Sequence, residues 1–292
     1  MHCNRLAHRL FSTLMNVLSE LRLGRGVLAR IAALCVAAAL AGAAWAAPVR
    51  VDAVEVELIA PTVAWRAGQT EWIGLRVRHD PHWHTYWRNP GDSGLATTLD
   101  VQAPPGFEVS ALQWPVPARF LIAPLASYGY EDEVVLPVQI KVPEQGAGGR
   151  ARIEARASWL MCRDVCIPGE ASLTLEIPVL ATDRDAERSA HAALFDRTRA
   201  ALAAGPRELP VTVRGSTLSI DMSPLVPERL AGSARIEFFP YSETGLRHAA
   251  AQVIRASAQA PDQPARIELP LSDDGVTLAS QNAADAVRAL GA

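Results

Sequence analysis

The chain has 292 residues, a formal net charge of −3, 49% hydrophobic and 20% charged residues, which places it among ordinary globular proteins with room for two domains. Its 28 basic and 31 acidic residues form no basic cluster, so nucleic acid is not an expected partner. It has no C-x-x-C pair and no nucleotide or flavin fingerprint, so no cofactor is expected, and electrons for any redox chemistry must come from elsewhere.

Residues 1–46 read as an export signal. Arg22, Arg25 and Arg30 precede an Ala-rich apolar run from Ile31, which ends in the A-x-A step Ala44-Trp45-Ala46. An uncleaved membrane anchor is the competing reading, and Met15 offers an alternative start. Five arginines and one glutamate lie in this segment, so cleavage leaves 23 basic against 30 acidic residues, a net charge of −7. Cleavage also removes Cys3 and Cys35, so that only Cys162 and Cys166 remain.

Residues 47–182 read as a succession of short strands. Val54, Val56 and Leu58 alternate with glutamates, Ile73, Leu75 and Val77 with Gly74, Arg76 and Arg78, and a third alternating run extends from Val134 to Val142. Pro- and Gly-rich punctuation separates them, at Pro90-Gly91, Pro104-Pro105-Gly106, Pro115 and Pro117. About seven short strands without a helical period predict an immunoglobulin-like antiparallel β-sandwich, with a barrel as the competing all-β fold. Residues 183–205 predict a linking helix, capped by Thr182 or Asp183 and ended by Gly205. Residues 206–292 predict a second, smaller mainly-β domain. Its strands are expected near Val211–Val213, Thr217–Ile220, Arg235–Phe239, Arg266–Leu269 and Val276–Leu278, with a short helix over Asn282–Leu290.

The two remaining cysteines sit in one hairpin. Ile153, Ala155, Ala157 and Trp159 alternate before them and Leu173, Leu175 and Ile177 after, so a three-residue turn sets Cys162 and Cys166 opposite each other, about 5.5 Å apart at Cα. That separation suits a disulfide. Closing so short a loop contributes only about 2 kcal/mol in chain-entropy terms, which fits exchange better than stapling. A structural disulfide and half of a metal site remain open on the residues alone.

Two further stretches carry candidate chemistry. His79, His82 and His84 fall among Trp83, Tyr86 and Trp87; imidazoles could take a metal, alone or with the cysteines, but packing of the aromatic rings and a tight turn at Asn89-Pro90-Gly91-Asp92 account for the pattern, and no metal site is expected. Ser127-Tyr128-Gly129-Tyr130-Glu131-Asp132-Glu133 is a glycine-hinged, aromatic and acidic loop able to cover or uncover a disulfide.

Trp83 to Gly94, Trp114-Pro115, Tyr128-Gly129-Tyr130-Glu131 and Trp159 to Gly169 together resemble the amino-terminal periplasmic region of DsbD-type thiol:disulfide interchange proteins, most closely the branch associated with suppression of copper sensitivity. The resemblance runs from about Val51 to Leu180, and more weakly through Phe238-Phe239-Pro240 in the second domain. It implies a protein-disulfide reductase module whose catalytic pair is Cys162 and Cys166, with Cys166 forming the mixed disulfide, Cys162 resolving it, and Tyr128, Gly129 and Tyr130 as a cap loop. It further implies periplasmic localisation, a membrane-embedded electron-transfer protein with a thioredoxin-like domain as donor, and disulfide isomerase-like proteins as substrates. The donor would lie on a continuation of this chain or on another, holding the module at the inner membrane. Two positions depart from the family pattern: the cysteine spacing is shorter, and Ser127 stands where the cap has phenylalanine. A non-enzymatic periplasmic module with a structural disulfide, binding copper or a partner protein, is the alternative.

Overall fold

The computed structural model describes residues 47–146, 148–181, 186–202, 208–223, 236–255 and 265–281. The expected export signal, the caps at Thr182, Asp183 and Gly205, and the helix over Asn282–Leu290 lie outside them. Trp45–Ala292 forms one compact unit.

Strands β1 (Val49–Val51), β2 (Val54–Ile59), β3 (Trp65–Arg66) and β4 (Thr70–His79) open the chain. They are followed by β5 (Thr85–Gly91), β6 (Thr98–Gln102), β7 (Glu108–Val109), β8 (Ala118–Ile122), β9 (Leu125–Tyr130) and β10 (Glu133–Lys141). The cysteine hairpin is β11 (Arg150–Cys162) and β12 (Cys166–Leu180). One sheet runs β1-β2-β4-β10-β7 and faces a second, β3-β12-β11-β6. Alternation decides which side chains meet between them. Ile73, Leu75 and Val77 of β4, Leu136, Val138 and Ile140 of β10, and Ile153, Ala157, Leu173 and Leu175 of the hairpin are all buried in one core around Trp65. The outward residues of the hairpin are arginines and glutamates such as Arg152, Glu154 and Glu176, paired at the surface. The predicted sandwich is therefore observed, with the cysteines at the tip of its longest hairpin.

The helix α1 spans Ala192–Ala200, a shorter stretch than the predicted linker; residues 186–190 are not helical, with Arg188 bridged to Thr62. Its Phe195 packs with Ile59 and Val135 on the outer face of the first sheet. Gly74 makes room for it, since a Cβ there would lie 2.4 Å from Val135 and 3.2 Å from Phe195.

Beyond α1, strands β13 (Val211–Arg214), β14 (Thr217–Asp221), β15 (Val253–Arg255) and β16 (Arg266–Pro270) form a sheet in the order β13-β14-β16-β15 over a core containing Leu218, Ile220, Ile267 and Leu269. Two sequence expectations are corrected here. Val276–Leu278 is helical, within α2 (Asp273–Gln281), because Ser272 Oγ accepts the Gly275 amide at 3.2 Å and Asp273 and Asp274 favour the positive end of the helix dipole. Ile236–Phe239 forms no strand: the side-chain amide of Gln252 takes both main-chain groups of Phe238, each at 2.8 Å, in place of a neighbouring strand.

The third sheet of the first region, β5-β9-β8, positions the site. Gly129 of β9 lies opposite Tyr86 of β5, and a Cβ on it would come within 2.0 Å of the Thr85 carbonyl oxygen. Only glycine permits the two strands to pair so closely.

Candidate functional site

Cys162 and Cys166 are joined by a disulfide and form the last facing pair of the β11–β12 ladder, with their Cα atoms 4.2 Å apart. Cys162 is buried, 3% exposed, whereas Cys166 is exposed at the surface. In the turn between them Arg163 bonds Asp164 at 2.8 Å and stacks 5.3 Å over the Trp83 ring, so its charge is engaged locally.

His84 stands next to the pair although it is far away in sequence. Its main chain exchanges two hydrogen bonds with that of Cys162, each 3.0 Å, and facing residues in such a pair project to the same side about 5.5 Å apart. The imidazole stacks on Phe120 at 4.9 Å and meets Tyr86 edge-on at 5.2 Å. Burial lowers its pKa, keeping the ring neutral near pH 7. Tyr86 completes the surround. Its hydroxyl donates to Cys166 Sγ at 3.9 Å, the disulfide sulfur having no proton to give, and burial raises its pKa so that the proton is retained.

Tyr128, Gly129 and Tyr130 lie in strand β9. Tyr128 is buried against Trp87, Phe239 and His248, and burial pushes its pKa up to about 12. The Tyr130 hydroxyl donates to the Pro115 carbonyl at 2.7 Å. Ser127 Oγ donates to the Ser93 carbonyl at 3.2 Å. The aromatic groups with a direct contact to the cysteines are His84, through its main chain, and Tyr86, while Phe120 stacks on His84. Sequence reasoning singled out the first two only as packing or metal candidates and missed Phe120; the alternation of His84 and Tyr86 along one strand was the available signal.

His79 is held by Thr85 Oγ1 at 2.9 Å and the Asp132 carbonyl at 3.2 Å, and burial lowers its pKa to about 4. His82 is exposed in a left-handed turn, φ 69°, off the strand that carries His84. Among the described residues no group of three or more His, Cys, Asp or Glu is arranged to hold a metal. The turn expected at Asn89 begins later, at Asp92; Asn89 is buried within β5 and reaches across to the carbonyls of Pro240 and Ser242, 2.7 Å each.

Comparison with known proteins gives the same outline. A solved structure of the N-terminal periplasmic domain of ScsB from Proteus mirabilis superposes with a TM-score of 0.53 at 21% identity, covering 78% of this chain and 84% of that one, a likeness of fold. A DUF4466 family protein from Parabacteroides merdae covers 63% of this chain and 70% of its own at 8% identity, but its TM-score of 0.22 is too low to bear on the fold. No curated protein matches the chain. Residues 53–178 match the family model described as thiol:disulfide interchange protein DsbD, N-terminal. Over that stretch, which contains both cysteines and the strands that surround them, the chain resembles the amino-terminal region of DsbD-type proteins.

Proposed function

We propose that the protein is a periplasmic thiol:disulfide exchange module, which takes electrons from a membrane-embedded protein with a thioredoxin-like domain and passes them to disulfides of periplasmic proteins, disulfide isomerase-like proteins among them. The observation that carries this reading is the position of the Cys162–Cys166 bond on the last of thirteen paired positions of the β11–β12 ladder. A cross-link there can open without unpairing the sheet.

In the reduced state the Cys166 thiolate attacks one sulfur of a substrate disulfide, forming a mixed disulfide and releasing one substrate thiolate. Cys162, deprotonated, then attacks Cys166, restoring the internal disulfide and releasing the second substrate thiolate. Two electrons leave the module for the substrate, and a dithiol donor returns them by the same two steps in reverse. The exposure of Cys166 and the burial of Cys162 support the first as the attacking sulfur and the second as the resolving one. The Tyr86 hydroxyl can donate to the thiolate that forms at Cys166, lowering its free energy relative to the thiol.

The deciding experiment is equilibration of the mature protein with glutathione and thioredoxin-type couples, with Cys166→Ala as control. A reduction potential between a thioredoxin-like donor and periplasmic isomerases is expected. A value below roughly −300 mV, in the range of structural disulfides, would sink the relay and leave a binding module. Cys162→Ala, which leaves Cys166 unresolved, is expected to trap a mixed disulfide with an oxidised isomerase.

A further inference from the structure

The β5-β9-β8 sheet has two faces with different neighbours. On one, His84 and Tyr86 adjoin the disulfide and Phe120 stacks on His84. The residues next to them in sequence point the other way, as strand alternation requires, and meet the irregular segment 238–250. Trp87 packs on Phe239 at 6.2 Å, Arg119 donates to the carbonyls of His248 and Ala250, and the buried Asn89 amide donates to those of Pro240 and Ser242. Tyr128, which lies opposite Arg119 in register, bonds His248 Nδ1 at 3.2 Å. The His248 tautomer follows from its second contact. Nε2 lies 3.0 Å from the Glu243 carbonyl, which can only accept, so Nε2 carries the proton and Nδ1 accepts the Tyr128 hydroxyl.

All three strands are therefore tied to one segment, and mostly to its main-chain carbonyls. That segment lies outside the matched family region, residues 53–178.

We propose that segment 238–250 is a positioning strap for the exchange reaction. By fixing the outer face of the β5-β9-β8 sheet it holds His84 and Tyr86 beside the cysteines, with Phe120 stacked on His84, and so sets how readily the disulfide opens to a partner thiol. The inference rests on the exchange reading of the disulfide. The strap acts on the covering strands, Tyr86 among them, so loosening it is read first in the rate at which the disulfide is reduced.

The test uses the full mature chain. Reduction of Cys162–Cys166 by excess dithiothreitol is followed by quenching with iodoacetamide and counting of labelled thiols, for wild type, Tyr128→Phe, Asn89→Ala and the double variant. Arg255→Ala on β15, away from the strap, serves as control. Removing these hydrogen bonds is expected to speed reduction roughly tenfold in the double variant, with faster amide hydrogen exchange at Ala126–Tyr130 but not in β11. Rates within twofold of wild type despite that faster exchange would overturn the proposal. So would slower reduction, which would make the strap necessary for forming the site and not for gating it. Should the double variant fail to fold, Tyr128→Phe alone, which deletes one hydroxyl, decides on the same criteria. The wild-type potential judges the relay separately: a structural value there removes the relay, while the rate comparison still decides whether the strap controls access.

Discussion

The β11–β12 hairpin is paired without interruption over thirteen positions and buries its inner face from Ala151 to Met161, whereas β8–β9 is paired over five and ends in the exposed apolar residues Leu121, Ile122 and Leu125. One hairpin is stabilised by its own ladder and by the sandwich core; the other is held mainly by what its side chains reach, through Arg119, Tyr128 and Tyr130. The difference separates two tasks that an exchange site must combine. The sulfurs ride on a frame that does not yield, and the groups around them ride on one that can.

The frame is broken most directly by Ile153→Ala, which empties a fully buried position of β11 and is expected to cost about 2–5 kcal/mol in urea unfolding. A comparable loss from Phe120→Ala, on the half-buried face of β8, would erase the distinction between the hairpins.

Acid gives the next largest effect. His79 has a folded pKa of about 4 against an ordinary value of 6.5, so the folded state binds fewer protons between those values. Its contribution to stability is fully present above about pH 6.5 and is lost as pH falls through about 4, on the order of 3 kcal/mol if the whole shift is realised. His79→Gln should flatten that part of the pH dependence. His79 bonds Thr85 at the start of β5 and Asp132 just past β9, so the weakening is expected first as faster amide exchange on the covering strands.

Reducing the disulfide should lower stability by about 2 kcal/mol or less, because a ladder twelve pairs long remains beneath it. A much larger drop in the denaturation midpoint of the reduced protein would mean that the bond carries the fold. The smallest effect is assigned to Tyr86→Phe. Loss of one hydroxyl near Cys166 should slow exchange about fivefold, a hydrogen bond's worth of about 1 kcal/mol, and raise the thiol pKa measured by alkylation against pH, with the melting temperature nearly unchanged.

Much of the frame was legible in the sequence because alternation is local: the inward positions of β4, β10, β11 and β12 could be read directly, and the short spacing set Cys162 across from Cys166. What surrounds the pair was less legible. His84 reaches it through a main-chain bridge to a residue 78 positions away, and no local pattern announces such a pairing. Asn89 sits in a run that spells a turn, and it does bond the Gly91 amide, but its burial comes from a segment 150 residues further on. Val276–Leu278 misled for a different reason. Three residues of strand-like composition follow a helix start at Ser272-Asp273-Asp274, and the start signal prevails over their propensity.

The guanidinium of Arg163, in the turn that joins the cysteines, lies on the face of the Trp83 indole. Tryptophan emission is sensitive to a cation at that distance and to a nearby disulfide, which quenches it. Trp83 is therefore expected to change its emission when the bond opens, through the Arg163 contact. Stopped-flow fluorescence can follow each turnover without a label, and Trp83→Phe identifies which part of the signal belongs to it among the seven tryptophans of the chain.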